Sequence, residues 1–154
     1  MKRFLTGVLV TIAMSVSLTG IAHADRVTVT GSGDIQKLVA KNGTDSVVVQ
    51  IFGPGGECDI RYVAATLRGT DGVKYKVSGG CYPGGQWILG LSKGTKEVRC
   101  SSDRLAYNAT GGFWRFTVPR TCLGKLTNKI KVSGELTFGP MPGEAGPTSW
   151  VRRG

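Results

Sequence analysis

The sequence predicts an all-β protein, an antiparallel β-sandwich of about 8–10 short strands held by two disulfides. Three observations predict this class. Apolar and polar residues alternate with a period of two in several segments, and glycine-containing turn signals separate those segments. The four cysteines are the third observation, because an even number in an exported chain is typical of disulfides. A closed β-barrel has the same strand pattern and is the alternative fold.

The chain begins with a segment typical of an export signal. Lys2 and Arg3 precede an uncharged, mostly apolar stretch, residues 4–22, and Ala22-His23-Ala24 matches the A-x-A cleavage pattern. We therefore expect residues 1–24 to be a signal peptide and the protein to be secreted. After cleavage we expect no membrane span, and the protein as a whole is basic, with a formal net charge of +10.

Residues 25–138 are predicted to form the β-sandwich domain. Its strands are expected where apolar and polar residues alternate, as where Val73, Tyr75 and Val77 are interleaved with lysines. Residues 139–154 begin with a Pro/Gly-rich run and are predicted to be a C-terminal tail instead of an element of the sheet. The alternating segments are residues 46–52, 58–66, 73–77, 96–100, 113–118 and 128–138.

The cysteines are Cys58, Cys81, Cys100 and Cys122. Four cysteines allow three pairings, and we favour Cys58–Cys81 with Cys100–Cys122, because neighbouring antiparallel strands are usually consecutive in the chain. No two of them have the C-x-x-C spacing of a zinc knuckle, so we predict no metal at these sulfurs.

Histidine is missing from the predicted exported domain, because the only one, His23, lies in the predicted signal peptide. Ser-His-Asp and Cys-His catalysis and histidine-ligated metals are therefore excluded there. We expect neither an enzyme nor a cofactor. The remaining catalytic alternative is a glycosidase that uses Glu57 and Asp59, which flank a cysteine on one side of an extended strand. Calcium in the loops is left open.

Six basic residues lie opposite apolar neighbours in the predicted strands and are the candidate binding residues. If several of these strands share a sheet, one solvent face is strongly cationic and attracts anionic polymers. The alternative role of such cations is to protect sheet edges and keep the protein soluble. The six residues are Lys74, Lys76, Arg99, Arg115, Lys129 and Lys131.

Two motifs in the C-terminal third resemble a group of small secreted actinobacterial β-sandwich proteins, with the patterns VPRxCLG and WVxRG. The resemblance implies that Cys100 and Cys122 form a disulfide, and it assigns a function to no residue of this chain. The strand pattern is also loosely similar to that of DOMON and carbohydrate-binding sandwiches. The residues that carry the motifs are Val118, Pro119, Arg120, Cys122, Leu123 and Gly124, then Trp150, Val151, Arg153 and Gly154.

These features favour a secreted, non-catalytic binding domain that engages an anionic envelope polymer or glycan through a cationic sheet face. The alternative is a secreted inhibitor or effector that binds another protein through the disulfide-anchored loop at residues 81–87, CYPGGQW. Nucleic acid is not expected as a partner. Neither motif identifies the ligand.

Overall fold

A computed structural model describes residues 25–54, 61–82, 86–101, 103–108, 111–137 and 142–154. Within these ranges the chain is all-β, and every strand pairing is antiparallel. The predicted signal peptide lies outside them. None of the helical structure in these ranges is long and apolar enough to cross a membrane.

The described residues form twelve strands and one short 3₁₀ turn, Arg120–Leu123. In chain order the strands are β1 (Arg26–Ser32), β2 (Lys37–Asn42), β3 (Ser46–Phe52), β4 (Arg61–Gly69), β5 (Lys74–Tyr82), β6 (Gln86–Lys93), β7 (Lys96–Glu97), β8 (Arg104–Asn108), β9 (Phe113–Pro119), β10 (Lys129–Thr137), β11 (Gly143–Ala145) and β12 (Val151–Arg152).

The strands follow one path in the order β7-β6-β5-β4-β10-β11-β1-β2-β3-β9-β8, and β12 pairs with β10. We call β1, β2, β3, β8 and β9 the front half, and the other seven strands the back half. The halves meet at β1, which pairs with β2 along most of its length and with β11 through Gly31 and Ser32. This junction lets the path continue from one half into the other.

Buried side chains of both halves belong to one hydrophobic core, in which β10 contacts β2. Gly134 shows how close the approach is, because a Cβ there would lie 2.7 Å from Leu38 Cδ1 and 2.9 Å from Ile51 Cδ1. Trp114 and Phe116 on β9 point into the same core and are fully buried. Burial of each such side chain contributes about 1.5–3 kcal/mol to folding.

Three of the predicted strands agree closely with the structure. The predicted segments 46–52, 113–118 and 128–138 match β3, β9 and β10 to within a residue at each end. The segment 96–100 contains only the two-residue strand β7, and 73–77 continues to Tyr82 as β5. The prediction missed β1, β2, β6 and β8.

The predicted tail contains two strands. In β11, Gly143 packs so closely on the turn after β1 that a Cβ would lie 2.6 Å from the Ile35 nitrogen. Thr148 then extends the pairing, since its N–H donates to the Val132 carbonyl and its hydroxyl accepts from the Val132 N–H. Val151 in β12 is fully buried. The Pro/Gly-rich composition did not predict these strands, because their pairing depends on contacts with strands that are distant in the sequence.

One of the two predicted disulfides is confirmed. Cys100 and Cys122 are joined, with their Cα atoms 5.7 Å apart, and the bond ties the segment after β7 to the 3₁₀ turn. Cys58 and the side chain of Cys81 lie outside the described residues, so their pairing stays a prediction.

Candidate functional site

The strands of the front half carry only one sign of charge on their outward surface, which we call the front face. Its five strands contain no Asp or Glu. Because side chains alternate along a strand, every Lys and Arg of these strands points outward, opposite the buried set. The register brings them together, since Arg26 pairs with Lys41 across β1 and β2. The front-face cations are Arg26, Lys37, Lys41, Arg104 and Arg115.

A groove of about 590 Å³ crosses this face. Val39 and Val48 form its floor, and the longer side chains of Arg26, Lys41 and Arg115 rise around them. Short β-branched residues beside long cationic ones produce this shape on the sheet surface. None of the three cations has a carboxylate partner within the described part of the chain.

The turn between β2 and β3 forms one end of the groove. It contributes Thr44 and Asp45, the single acidic side chain among the described lining residues, and Ser46 follows at the start of β3. The turn is held by the C-terminal segment: the Thr44 hydroxyl donates to the Gly154 carbonyl, and Arg153 Nη2 donates to the Thr44 carbonyl at 2.8 Å. The groove is therefore bounded by an ordered wall instead of a free loop.

A buried polar cluster of Asn42 and Arg120 lies beneath this wall. Asn42 is fully buried and donates from Nδ2 to the Val151 and Asn128 carbonyls, at 2.9 and 3.2 Å. Arg120 donates to Asn42 Oδ1 and, at 3.3 Å, to the Leu126 carbonyl. Burial, followed by the nearby charge of Arg153, lowers the pKa of Arg120 from its usual value.

The outward surface of the back half, the back face, carries mixed charge. Lys74, Arg68 and Lys131 lie in one row across β5, β4 and β10. Next to that row, Lys76 Nζ lies 2.5 Å from Glu135 Oε1, and this hydrogen bond is the main cause that raises the pKa of Lys76. Because β4 lies between β5 and β10, the ion pair spans a strand, and the acidic partner reduces the charge available to a ligand.

The structure distributes the six candidate residues over four places. Lys74, Lys76 and Lys131 lie on the back face, where Lys131 Nζ is 5.1 Å from the centre of the Trp150 ring. Arg115 lies on the front face. Arg99 is exposed in the segment between β7 and β8. Lys129 lies at the start of β10, opposite Arg152.

Lys129 lines a second cavity of about 420 Å³, together with Arg152 and Arg153. Thr44 and Gly154 line both this cavity and the groove, so the two spaces are adjacent. Arg26, Lys41, Arg152 and Arg153 were absent from the predicted set. These four residues lie in strands or segments that were not predicted from the sequence. Their proximity follows from the strand register, which the sequence does not show.

The remaining candidates fall outside what the structure describes. Glu57 and Asp59 belong to residues 55–60, and the tip of the predicted protein-binding loop is residues 83–85. Among the described residues there is no group of three or more His, Cys, Asp or Glu that could hold a metal ion.

Fold and site together define an all-β, basic protein with a cationic groove on one sheet face. No protein-family model matches the chain, and a search of the curated proteins finds no match. The function is therefore inferred from the groove itself.

Proposed function

We propose that this protein is a secreted, non-catalytic binding domain that holds an anionic envelope polymer or acidic glycan in the front-face groove. The observation that carries the proposal is the charge pattern of the front half, whose strands contain five cations and no carboxylate. Cations that only protect sheet edges or aid solubility are normally interspersed with acidic residues. Like charges gathered around a concave surface raise the local concentration of an anionic ligand.

The groove chemistry favours a polymer of anionic and hydroxyl groups. Arg26 and Arg115 can each donate two parallel hydrogen bonds to a carboxylate or phosphate. Ser46 and Gln50 supply polar side chains for hydroxyl groups. None of the described lining residues is aromatic. Single-stranded nucleic acid is usually bound by stacking its bases on aromatic rings, so a glycan or polyol phosphate fits this surface better.

The same proposal includes two finer features of the fold. We infer that the front and back halves are the two layers of a β-sandwich, which is supported by the packing of Gly134 against Leu38 and Ile51. We also infer that Cys58 pairs with Cys81. Cys81 pairs with Arg61 in the strand register. Arg61 follows Cys58 by only three residues in the chain, which suits a disulfide between neighbouring strands.

A charge-matched comparison of the two faces tests the proposal. The mature chain, residues 25–154, is titrated with acidic oligosaccharides and wall polymers over a salt series. R26Q/R115Q removes two cations from the groove, and R68Q/K74Q removes two from the back face. At about 0.5–1 kcal/mol for each exposed charged contact, the groove variant should bind roughly 5–30-fold more weakly. The back-face variant should lose less than about twofold.

Two outcomes would refute this function. Equal losses in both variants would mean that net charge alone attracts the polymer. Retention that does not weaken with salt would contradict an electrostatic groove, because salt screens exposed charges.

One observation favours the second candidate, a protein partner at the loop between β5 and β6. Tyr62 and Ile88, 42% and 57% exposed, flank Gly80 in adjacent strands just below that loop. Exposed apolar side chains grouped in this way are typical of protein contact surfaces. Capture of one stoichiometric protein that is lost in I88S and kept in R26Q/R115Q would support this candidate over polymer binding.

A further inference from the structure

We infer that the ligand is a linear polyanion that extends from the groove across Thr44 into the second cavity, so that both cavities bind one molecule. This inference rests on the proposed function and deepens it by setting the shape and minimum length of the ligand. The observation behind it is that the two cavities share Thr44 and Gly154.

The cations of the two cavities lie close enough for one chain. Asn42 Nδ2 donates to the Asn128 carbonyl at 3.2 Å. Lys41, in the groove, directly precedes Asn42, and Lys129, in the second cavity, directly follows Asn128. With about 3.8 Å between consecutive Cα atoms, the Cα atoms of the two lysines are at most about 17 Å apart. A few units of an extended polymer span that distance.

Hydrogen bonds within the protein hold the wall between the cavities. Thr44 is held by hydrogen bonds to Gly154 and from Arg153, and the Gly154 N–H donates to the Asn42 carbonyl at 3.1 Å. The Arg153 N–H donates to the Asn128 carbonyl at 2.7 Å. Because these bonds already fix the wall, binding does not require its ordering, which favours affinity.

Basic side chains also predominate in both cavities. Each is lined by three basic side chains, and Asp45, in the groove, is the single acidic side chain among the described residues that line either one. Three cations in one cavity suit a short anion. Two adjacent clusters of this kind suit an anion with repeating charges. A chain bound at one cluster presents its next charges to the other cluster at high effective concentration.

The ligand class is therefore a flexible, unbranched chain with a phosphate or carboxylate on successive units. Compact anions and branched polymers would fill only one cavity. Phosphate and carboxylate share the chemistry that arginine forks recognise, so the probes must separate them. Oligogalacturonate represents the carboxylate chains, and inorganic polyphosphate represents the phosphate chains.

The test compares short and long chains of each probe, of about three and about twelve units, at fixed low salt. We expect the long chain to bind wild-type protein about 10²-fold more tightly than the short one, with a steeper dependence on salt. K129Q/R152Q should leave short-chain binding within about twofold and cut the long-chain advantage to less than about tenfold. The control K96Q/K125Q removes the same charge at two exposed positions outside both cavities and should change neither.

The outcomes separate this inference from the proposed function. If wild-type protein binds short and long chains equally, and only R26Q/R115Q weakens both, the groove acts alone and the inference is wrong. The inference is equally wrong if K129Q/R152Q and K96Q/K125Q reduce long-chain binding to the same extent. If neither probe binds at any length, the proposed function itself fails.

Discussion

Replacing Asn42 by alanine should be among the most damaging single changes in the chain. Asn42 is fully buried, and its side chain joins three segments that are distant in sequence. It donates to the Asn128 and Val151 carbonyls and accepts from Arg120. Alanine would remove these partners from the buried Val151 carbonyl and from the half-buried Asn128 carbonyl and Arg120 guanidinium.

The expected loss follows from the three bonds. Two neutral hydrogen bonds contribute about 1 kcal/mol each, and the bond from the Arg120 guanidinium about 2 kcal/mol. The free energy of unfolding should therefore fall by about 4 kcal/mol. For a domain of this size that corresponds to a decrease in Tm of about 12–20 °C. Arg120 is doubly affected, because its buried Nε already lacks a hydrogen-bond partner in the described part of the chain.

Urea denaturation followed by tryptophan fluorescence measures the change directly. N128A is the matched control, since only the backbone carbonyl of Asn128 takes part in the cluster and its side chain is exposed. That variant should lose less than about 1 kcal/mol. A loss below about 1 kcal/mol in N42A itself would show that the cluster does not stabilise the junction of β2 with β12.

Three further predictions test the packing and the charges. G134A should lower the free energy of unfolding by about 1–3 kcal/mol, because the new Cβ would lie 2.7 Å from Leu38 Cδ1. The control G90A should be tolerated, since the nearest atom to its new Cβ would lie at 3.6 Å. Equal losses in the two variants would contradict the packing of β10 on β2. C100S/C122S should cost about 3 kcal/mol in denaturant titrations, as expected for a link across 22 residues, and an unchanged midpoint would show that the bond contributes nothing. K76Q should cost less than about 1 kcal/mol, since both partners of its ion pair are more than a third exposed. Because the folded pKa of Lys76 is raised, its contribution is present below the ordinary lysine pKa and is lost as pH rises through the folded value; a difference between wild type and K76Q that grows with alkaline pH would contradict this.

Strand prediction succeeded for several strands with one face in water, although β1, in which exposed and partly buried residues also alternate, was missed. In β3 and β10 the buried and partly exposed residues alternate without a break, so the period of two is visible in the sequence. In β2, Val39 points outward and is still only 5% exposed, so Leu38, Val39 and Ala40 form a continuous apolar run. A short continuous apolar run fits a buried strand or a helix equally well, so β2 was not predicted.

The candidate site was harder to predict than the fold for a similar reason. A sequence shows that Lys74 and Arg115 each lie opposite apolar neighbours, but not that they lie on opposite sides of the molecule. That difference depends on which strands pair, and the pairing of Arg26 with Lys41 joins residues that are fifteen positions apart. The neutralising role of Glu135 on the back face also appears only in three dimensions.

The most direct measurement of the central claim is the location of the bound polymer. Titration of isotope-labelled protein with oligogalacturonate, followed by amide chemical shifts, reports which face responds. The groove predicts saturable shifts at residues 39–50 and at Arg115, with no comparable change at Arg68 or along residues 74–78 of the back face. Shifts centred on the back face, or small changes spread evenly over all exposed cations, would contradict a binding site in the front-face groove.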